Sequence, residues 1–131
     1  MKGDYSLSIY SNIDKYIDYF SNTNREFCII VSGYPEYEDE LYNFIDEVYK
    51  SDLLKKDYRP YLESLEDSEE LFNIIGTEEI IEYIDMADFE TVKALLTYYV
   101  RWHRFDDEAW EWVAETGIFF KLLNRIKEIV G

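Results

Sequence analysis

Apolar side chains recur at three- and four-residue spacing along most of this 131-residue chain, and that spacing is what most constrains its fold. Residues so spaced line one face of an α-helix, whereas a half-buried strand alternates apolar and polar residues. The longest stripe comprises Phe89, Val92, Leu95, Leu96, Tyr99 and His103. A turn-rich all-β fold is disfavoured, because the chain has only 5 Gly and 2 Pro. The spacing therefore predicts a mostly α fold.

The helix boundaries follow from capping residues, from glycines and from the ends of the stripes. Asp88 is expected to cap its helix, with Glu90 in the first turn, where the helix dipole favours an anion. Pro60 is expected to interrupt the irregular segment 51–65. The predicted helices cover residues 7–20, 36–50, 68–75, a segment after Thr77, 88–104, a segment from Asp106 or Asp107 to Gly117, and 118–130 with Phe119, Leu122, Leu123, Ile126 and Val130 inward.

These segments make a compact bundle of about six or seven short helices in a single domain, residues 1–131. The β-branched run 27–32 fits either one short strand or a buried helical turn that Gly33 ends. Cys28 is the only cysteine, so no intrachain disulfide forms, and no apolar run is long enough to cross a bilayer. We expect a cytoplasmic protein.

The charge is strongly negative, with 29 Asp and Glu against 13 Lys and Arg, a net charge of −16. Such a field argues against direct binding to nucleic acid or to an anionic membrane. The surplus is concentrated in residues 61–90, which contain 11 acids and no base, with a smaller patch at 36–47. The candidate partner-binding residues are Glu63, Glu66, Asp67, Glu69, Glu70, Glu78, Glu79, Glu82 and Asp85.

An acidic helix face can imitate a row of DNA phosphates. On the helix predicted after Thr77, Glu78, Glu82 and Asp85 share a face, with side chains about 5–6 Å apart. A partner with a basic surface, such as a nucleic-acid-binding enzyme, would recognise that row. The alternative interpretation is a solvated surface that only keeps the protein soluble.

Catalytic groupings are weakly indicated. His103 is the only histidine, and its place on an apolar stripe favours a partly buried structural role over general-base chemistry. No Walker loop, Gly-x-Gly-x-x-Gly or Cys-x-x-Cys occurs, so we expect no enzyme activity, no cofactor and no metal site. Arg101 and Arg104 form a candidate anion-binding pair. The alternative is that both arginines pair with acids of 61–90 or 106–111.

Several short motifs resemble an uncharacterised bacterial and phage domain family of unknown function. They are Ala87-Asp88-Phe89-Glu90-Thr91, Leu95-Leu96-Thr97, Val100-Arg101, Arg104-Phe105 and Leu122-Leu123-x-Arg125, with Trp110 and Gly117 between them and Tyr34-Pro35-x-Tyr37 before them. The resemblance covers about 33–131 and implies a small, mostly helical domain with no assigned activity. Occurrence of the family in mobile elements implies a role in conflict between phage and host.

Together these observations predict a small, acidic, non-enzymatic protein-binding protein. Its most specific form is a DNA mimic of phage type that inhibits a nucleic-acid-binding defence protein, as an anti-CRISPR or anti-restriction protein does. Two alternatives stay open: a helical structural or regulatory oligomer, and a small-anion-binding domain that uses Arg101 and Arg104.

Overall fold

Helices account for most of the chain in the computed structural model, which describes residues 9–65, 71 and 73–130. A two-stranded hairpin follows the first long helix, and a short 3-10 turn, Trp102–Arg104, extends the central helix. The elements are α1 (Ile13–Ser21), β1 (Cys28–Val31), β2 (Tyr34–Tyr37), α2 (Asp39–Tyr49), α3 (Tyr58–Ser64), α4 (Ile80–Ile84), α5 (Phe89–Arg101), α6 (Ala109–Glu115) and α7 (Ile118–Val130). The predicted mostly α fold is confirmed.

The core is one hydrophobic cluster that includes residues from Ile9 to Ile126. The C-terminal helix α7 contacts α1, α4, α5 and α6, and α5 also packs along α3. At the centre of the cluster, the Phe20 ring lies 4.9 Å from Phe44, 5.2 Å from Phe119 and 5.9 Å from Phe27, between ring centroids. All four rings are fully buried, so this cluster joins α1, α2, α7 and the segment leading into the hairpin.

The C-terminal half agrees best with the sequence prediction. Helix α7 has the predicted bounds, and the Asp88 carboxylate caps α5 by accepting a hydrogen bond of 2.9 Å from the Thr91 amide. Gly117 ends α6 with φ +86°, a conformation that glycine adopts without steric cost. The prediction that Val130 faces inward was wrong, because this side chain lies in the last turn of α7 and is 50% exposed.

The segment 27–37 forms a hairpin, which resolves the choice left open for residues 27–32 in favour of a strand. Strand β1 pairs antiparallel with β2, and Val31 and Tyr34 flank the turn. Ser32 and Gly33 have φ of 54° and +85°, the two positive values that a type I′ turn needs.

The predicted helix start at Glu36 was therefore wrong, because residues up to Tyr37 pair with β1 and α2 begins at Asp39. Pro35 fits within β2, since it lies opposite Ile30, one position beyond the hydrogen-bonded pair next to the turn. Its missing N–H is not needed there.

Pro60 does not interrupt a segment, as the sequence analysis expected, but lies in the first turn of α3. The first turn tolerates proline, because its N–H groups have no partner within the helix. The Tyr61 hydroxyl lies 3.0 Å from the Thr91 hydroxyl, and this hydrogen bond links α3 to α5.

Helix α4 is shorter than the helix predicted after Thr77. Its five residues begin at Ile80, and the Thr77 hydroxyl accepts a hydrogen bond from the Glu79 amide in the preceding turn. Glu78 therefore precedes the helix and Asp85 follows it, so only Glu82 of the three acids predicted on this helix lies within α4. The prediction of a cap at Ser68 lies outside the described residues.

Phe20→Ala should lower the free energy of unfolding by about 3–5 kcal/mol, because it removes a ring in contact with three other buried aromatic side chains. Chemical denaturation followed by circular dichroism measures this loss. Phe105→Ala is the matched control, since Phe105 is 76% exposed and should change stability little. A loss under about 1 kcal/mol for Phe20→Ala would contradict the central role of the cluster.

Candidate functional site

The acidic residues predicted to bind a partner are exposed wherever the structure describes them. Glu63, Glu78, Glu79, Glu82 and Asp85 all lie at the surface. Asp85 forms an ion pair of 2.7 Å with Lys121, whereas the other four form none with the described residues. The predicted residues Glu66, Asp67, Glu69 and Glu70 lie outside the described residues.

A shallow cavity of about 410 Å³ lies beside α4. Glu79 and Glu82 line it together with Ile74, Tyr83 and Met86. These two carboxylates and an exposed methionine are compatible with a basic side chain, whose aliphatic stem would rest on the apolar part.

The hairpin exposes several apolar side chains, three of them in the run 27–32 that the sequence left open between a strand and a buried helical turn. Ile29, Ile30, Val31 and Tyr34 are exposed, with Ile30 at 60% and Tyr34 at 69%. Among the described residues, the sheet has only β1 and β2, so no third strand pairs with either outer edge. On β2, the Tyr37 N–H donates instead to the Tyr42 hydroxyl, which leaves the edge of β1 as the freer one. Ile29, Val31 and Tyr34 share one face of the hairpin with Glu36, whereas Ile30 lies on the opposite face beside Pro35. Exposed apolar residues and free strand edges are features of protein interaction sites.

Carboxylates border this apolar group. A second cavity of about 410 Å³ lies along the hairpin and is lined by Glu26, Cys28, Ile29, Glu36, Tyr37, Glu38 and Asp39. Glu38 is occupied, because it accepts hydrogen bonds from the Tyr19 hydroxyl and the Arg25 guanidinium. We define the hairpin surface as Glu26, Ile29, Val31, Tyr34, Glu36 and Asp39.

The buried end of the hairpin is anchored on α6 and the loop before it. The Tyr37 hydroxyl donates a hydrogen bond to the Asp107 carbonyl, and its ring lies 5.2 Å from that of Trp110. His103 stacks on Trp110 at 4.0 Å, which places the only histidine in a half-buried structural contact. The three tryptophans pack among the last helices, since Trp110 is buried and Trp102 and Trp112 are half-buried.

Acidic side chains of α6 lie near the hairpin and help to raise the pKa of the Cys28 thiol. Burial, followed by a hydrogen bond to Glu111, raises the pKa of the Cys28 thiol to about 12, so this thiol is protonated and a poor nucleophile. Burial also raises the pKa of Glu115, and the nearby Glu111 carboxylate adds to that shift. Sequence analysis missed these acids because segment 91–131 carries equal numbers of acids and bases. Five acids and no base occur within 106–115, however, and that local run was the available signal.

The two candidate arginines differ in their surroundings. Arg101 is half-buried and lines a cavity of about 140 Å³, whereas Arg104 is exposed and does not line it. Neither arginine forms an ion pair with a described residue, so the alternative of pairing with acids of 106–111 was wrong. The arginine that joins Arg101 in the cavity wall is Arg59.

Metal-binding clusters and membrane-spanning helices are absent from the described residues. The described residues contain no group of three or more His, Cys, Asp or Glu side chains that would hold a metal ion. Among the helices that the structure describes, none combines the length and apolar character needed to cross a bilayer.

Comparison with known proteins places the chain in a family. A family model described as a family of unknown function, DUF6508, matches residues 9–131. The chain belongs to DUF6508. This match confirms the resemblance to an uncharacterised domain family and extends it toward the N-terminus. No curated protein and no solved structure matches the sequence.

Glu115→Gln should stabilise this DUF6508 protein by less than about 1 kcal/mol near neutral pH, because it removes repulsion between the Glu115 and Glu111 carboxylates. A raised pKa means that the folded protein disfavours the charged form of Glu115. The gain is therefore full above that pKa and disappears as pH falls through it and Glu115 becomes protonated.

Thermal unfolding of both forms at neutral and at acidic pH measures this difference. Glu63→Gln is the matched control, since Glu63 is exposed and has no described ionic partner. Lower stability of Glu115→Gln at neutral pH would contradict the assigned repulsion.

Proposed function

We propose that this protein is a non-enzymatic binding protein whose hairpin surface docks onto a basic partner protein. The observation that supports this function is the exposed apolar group Ile29, Val31 and Tyr34 on one hairpin face, next to carboxylates that have no described basic partner. The apolar side chains supply affinity, and the carboxylates select the partner.

The apolar part is large enough to matter energetically. Complete burial of one isoleucine or valine side chain is favourable by about 1.5–3 kcal/mol, and Ile29 and Val31 are 51% and 42% exposed. Tyr34 adds a ring with a polar end, a residue type that is frequent among interface hot spots. A partner that covers these three side chains would gain enough to offset much of the cost of association.

Charge favours a partner of opposite sign over a second copy of the chain. Two copies would each carry a net charge of −16, and the carboxylates beside each hairpin would approach one another. A partner with Lys or Arg flanking an apolar strand or loop meets both requirements. Strand addition at a free hairpin edge would also satisfy its unpaired backbone groups.

The more specific hypothesis is that the partner is a nucleic-acid-binding defence protein, with the chain acting as a DNA mimic in the cytoplasm. The exposed Glu78, Glu79 and Glu82 support it, because they add negative charge without a described basic partner. Under this hypothesis, DNA and the protein compete for one basic surface.

The proposal predicts that Ile29→Ser/Val31→Ser lowers partner retention at least about tenfold, because two apolar side chains on one face of the hairpin lose their contact with the partner. The measurement is affinity capture from host lysate with quantitative mass spectrometry, followed by titration of each purified partner. Glu26→Gln/Glu36→Gln should weaken the same partner and reduce the dependence of its affinity on salt.

Val130→Ser is the matched control, since it replaces a half-exposed apolar residue in the last turn of α7. Docking through the hairpin surface would be refuted by a partner whose affinity for both hairpin variants equals its affinity for the unmodified chain. Competition by duplex DNA tests the more specific hypothesis, and a partner that binds DNA and this protein together refutes it.

A further inference from the structure

Four basic residues lack a carboxylate partner among the described residues, although acids outnumber bases more than two to one. The other described lysines and arginines form ion pairs, as Lys55 and Lys93 do with Glu90. The four exceptions occur in two short segments, 56–59 and 101–104: they are Lys56, Arg59, Arg101 and Arg104. Helices α3 and α5 contact each other, so the two segments lie at one junction.

The cavity at this junction combines cations with aromatic rings. It has a volume of about 140 Å³ and is lined by Tyr58, Arg59, Tyr98, Arg101, Trp102 and Phe105. The guanidinium carbons of Arg59 and Arg101 lie 5.8 and 5.7 Å from the centre of the Tyr58 ring. Tyr58 therefore holds two positive charges near one opening.

Arg101 has an unused donor at this place. Its Nε atom is buried and makes no hydrogen bond within the described part of the chain. A buried donor without an acceptor is unfavourable, and a charged donor more so. An anion in the cavity would lie beside the two guanidinium groups, whose positive charges stabilise it, and a turn of the Arg101 side chain would bring the unused donor to it.

The aromatic walls restrict what else the ligand contains. Tyr98 and Trp102 have ring centroids 5.7 Å apart at an angle of 39°, and Phe105 is 76% exposed. Such surfaces contact a flat ring, and 140 Å³ is the space of about five water molecules, enough for one ring and a small charged group.

We propose that this cavity binds a small oxyanion, a carboxylate or a phosphate, carried on a single flat ring. The oxyanion is held by Arg59 and Arg101, and the ring lies against Tyr98, Trp102 or Phe105. This site shares no residue with the hairpin surface, so it does not depend on the proposed protein partner.

The competing occupant is an acidic side chain of this same chain. Residues 66–70 follow α3 in the sequence and contain Glu66, Asp67, Glu69 and Glu70. If one of these carboxylates fills the site, the two arginines have a structural partner and no external ligand is needed.

The test is an NMR titration of the full-length ¹⁵N-labelled protein with benzoate and with phenyl phosphate, following the Trp102 indole N–H. Both probes carry the proposed chemistry, and stronger binding of one identifies the oxyanion. Inorganic phosphate carries only the oxyanion and phenol only the ring, so each should bind at least about tenfold more weakly than the two combined probes. Saturable binding of a ring-bearing oxyanion in the millimolar range or tighter is the expected result.

Arg101→Met and Arg59→Met should each weaken binding at least about tenfold, whereas Arg101→Lys should retain part of it, because lysine keeps the charge but loses the planar fork. Arg25→Met is the matched control, since Arg25 pairs with Glu38 away from the cavity. Dispersion of the NMR spectrum checks that each variant folds, and the exposed Arg59 gives a second variant if Arg101→Met does not.

Three results would overturn the proposal. The first is no saturable shift with either probe, and the second is equal binding by the unmodified chain and both methionine variants. The third is binding that occurs only after Glu66, Asp67, Glu69 and Glu70 are replaced by their amides, since that result assigns the cavity to the chain's own carboxylates.

Discussion

The buried contact between Phe20, Phe27, Phe44 and Phe119 is the interaction on which the rest of this structure depends. It brings α1, α2 and α7 together and holds the segment that leads into the hairpin. Because α7 also contacts α4, α5 and α6, displacement of its aromatic face would disturb nearly every other helix. The free energy gained by burying these rings must also offset the repulsion expected in a chain with a net charge of −16.

Most of the few described bases reduce that repulsion by forming ion pairs with acids. Several tie separate elements together, as Lys121 does with Asp85 and Lys55 with Glu90. Glu90 also binds Lys93, and these two contacts lower its pKa. Most described acids without an ion pair are exposed, and at the hairpin they lie next to apolar side chains. Two of the bases without a described partner, Arg59 and Arg101, line one aromatic cavity instead.

The result is a protein with two chemically different surfaces. The hairpin surface is apolar and acidic, which suits a basic protein partner, whereas the junction of α3 and α5 is cationic and aromatic, which suits a small ring-bearing anion. The long-range field of the chain would repel large polyanions from that cavity, but a small anion that loses its water inside is held by short-range hydrogen bonds.

The sequence by itself determined the helical class, the cap at Asp88 and the bounds of α7, because these features depend on spacing and on local capping. It did not determine that Ile29, Ile30 and Val31 are exposed, since a strand's burial depends on what packs against it. Only the tertiary structure placed β1 beside the acids of α6 and Arg101 beside Arg59. Contacts between residues distant in sequence leave no periodic signal in either segment, so both surfaces are visible only after the chain has folded.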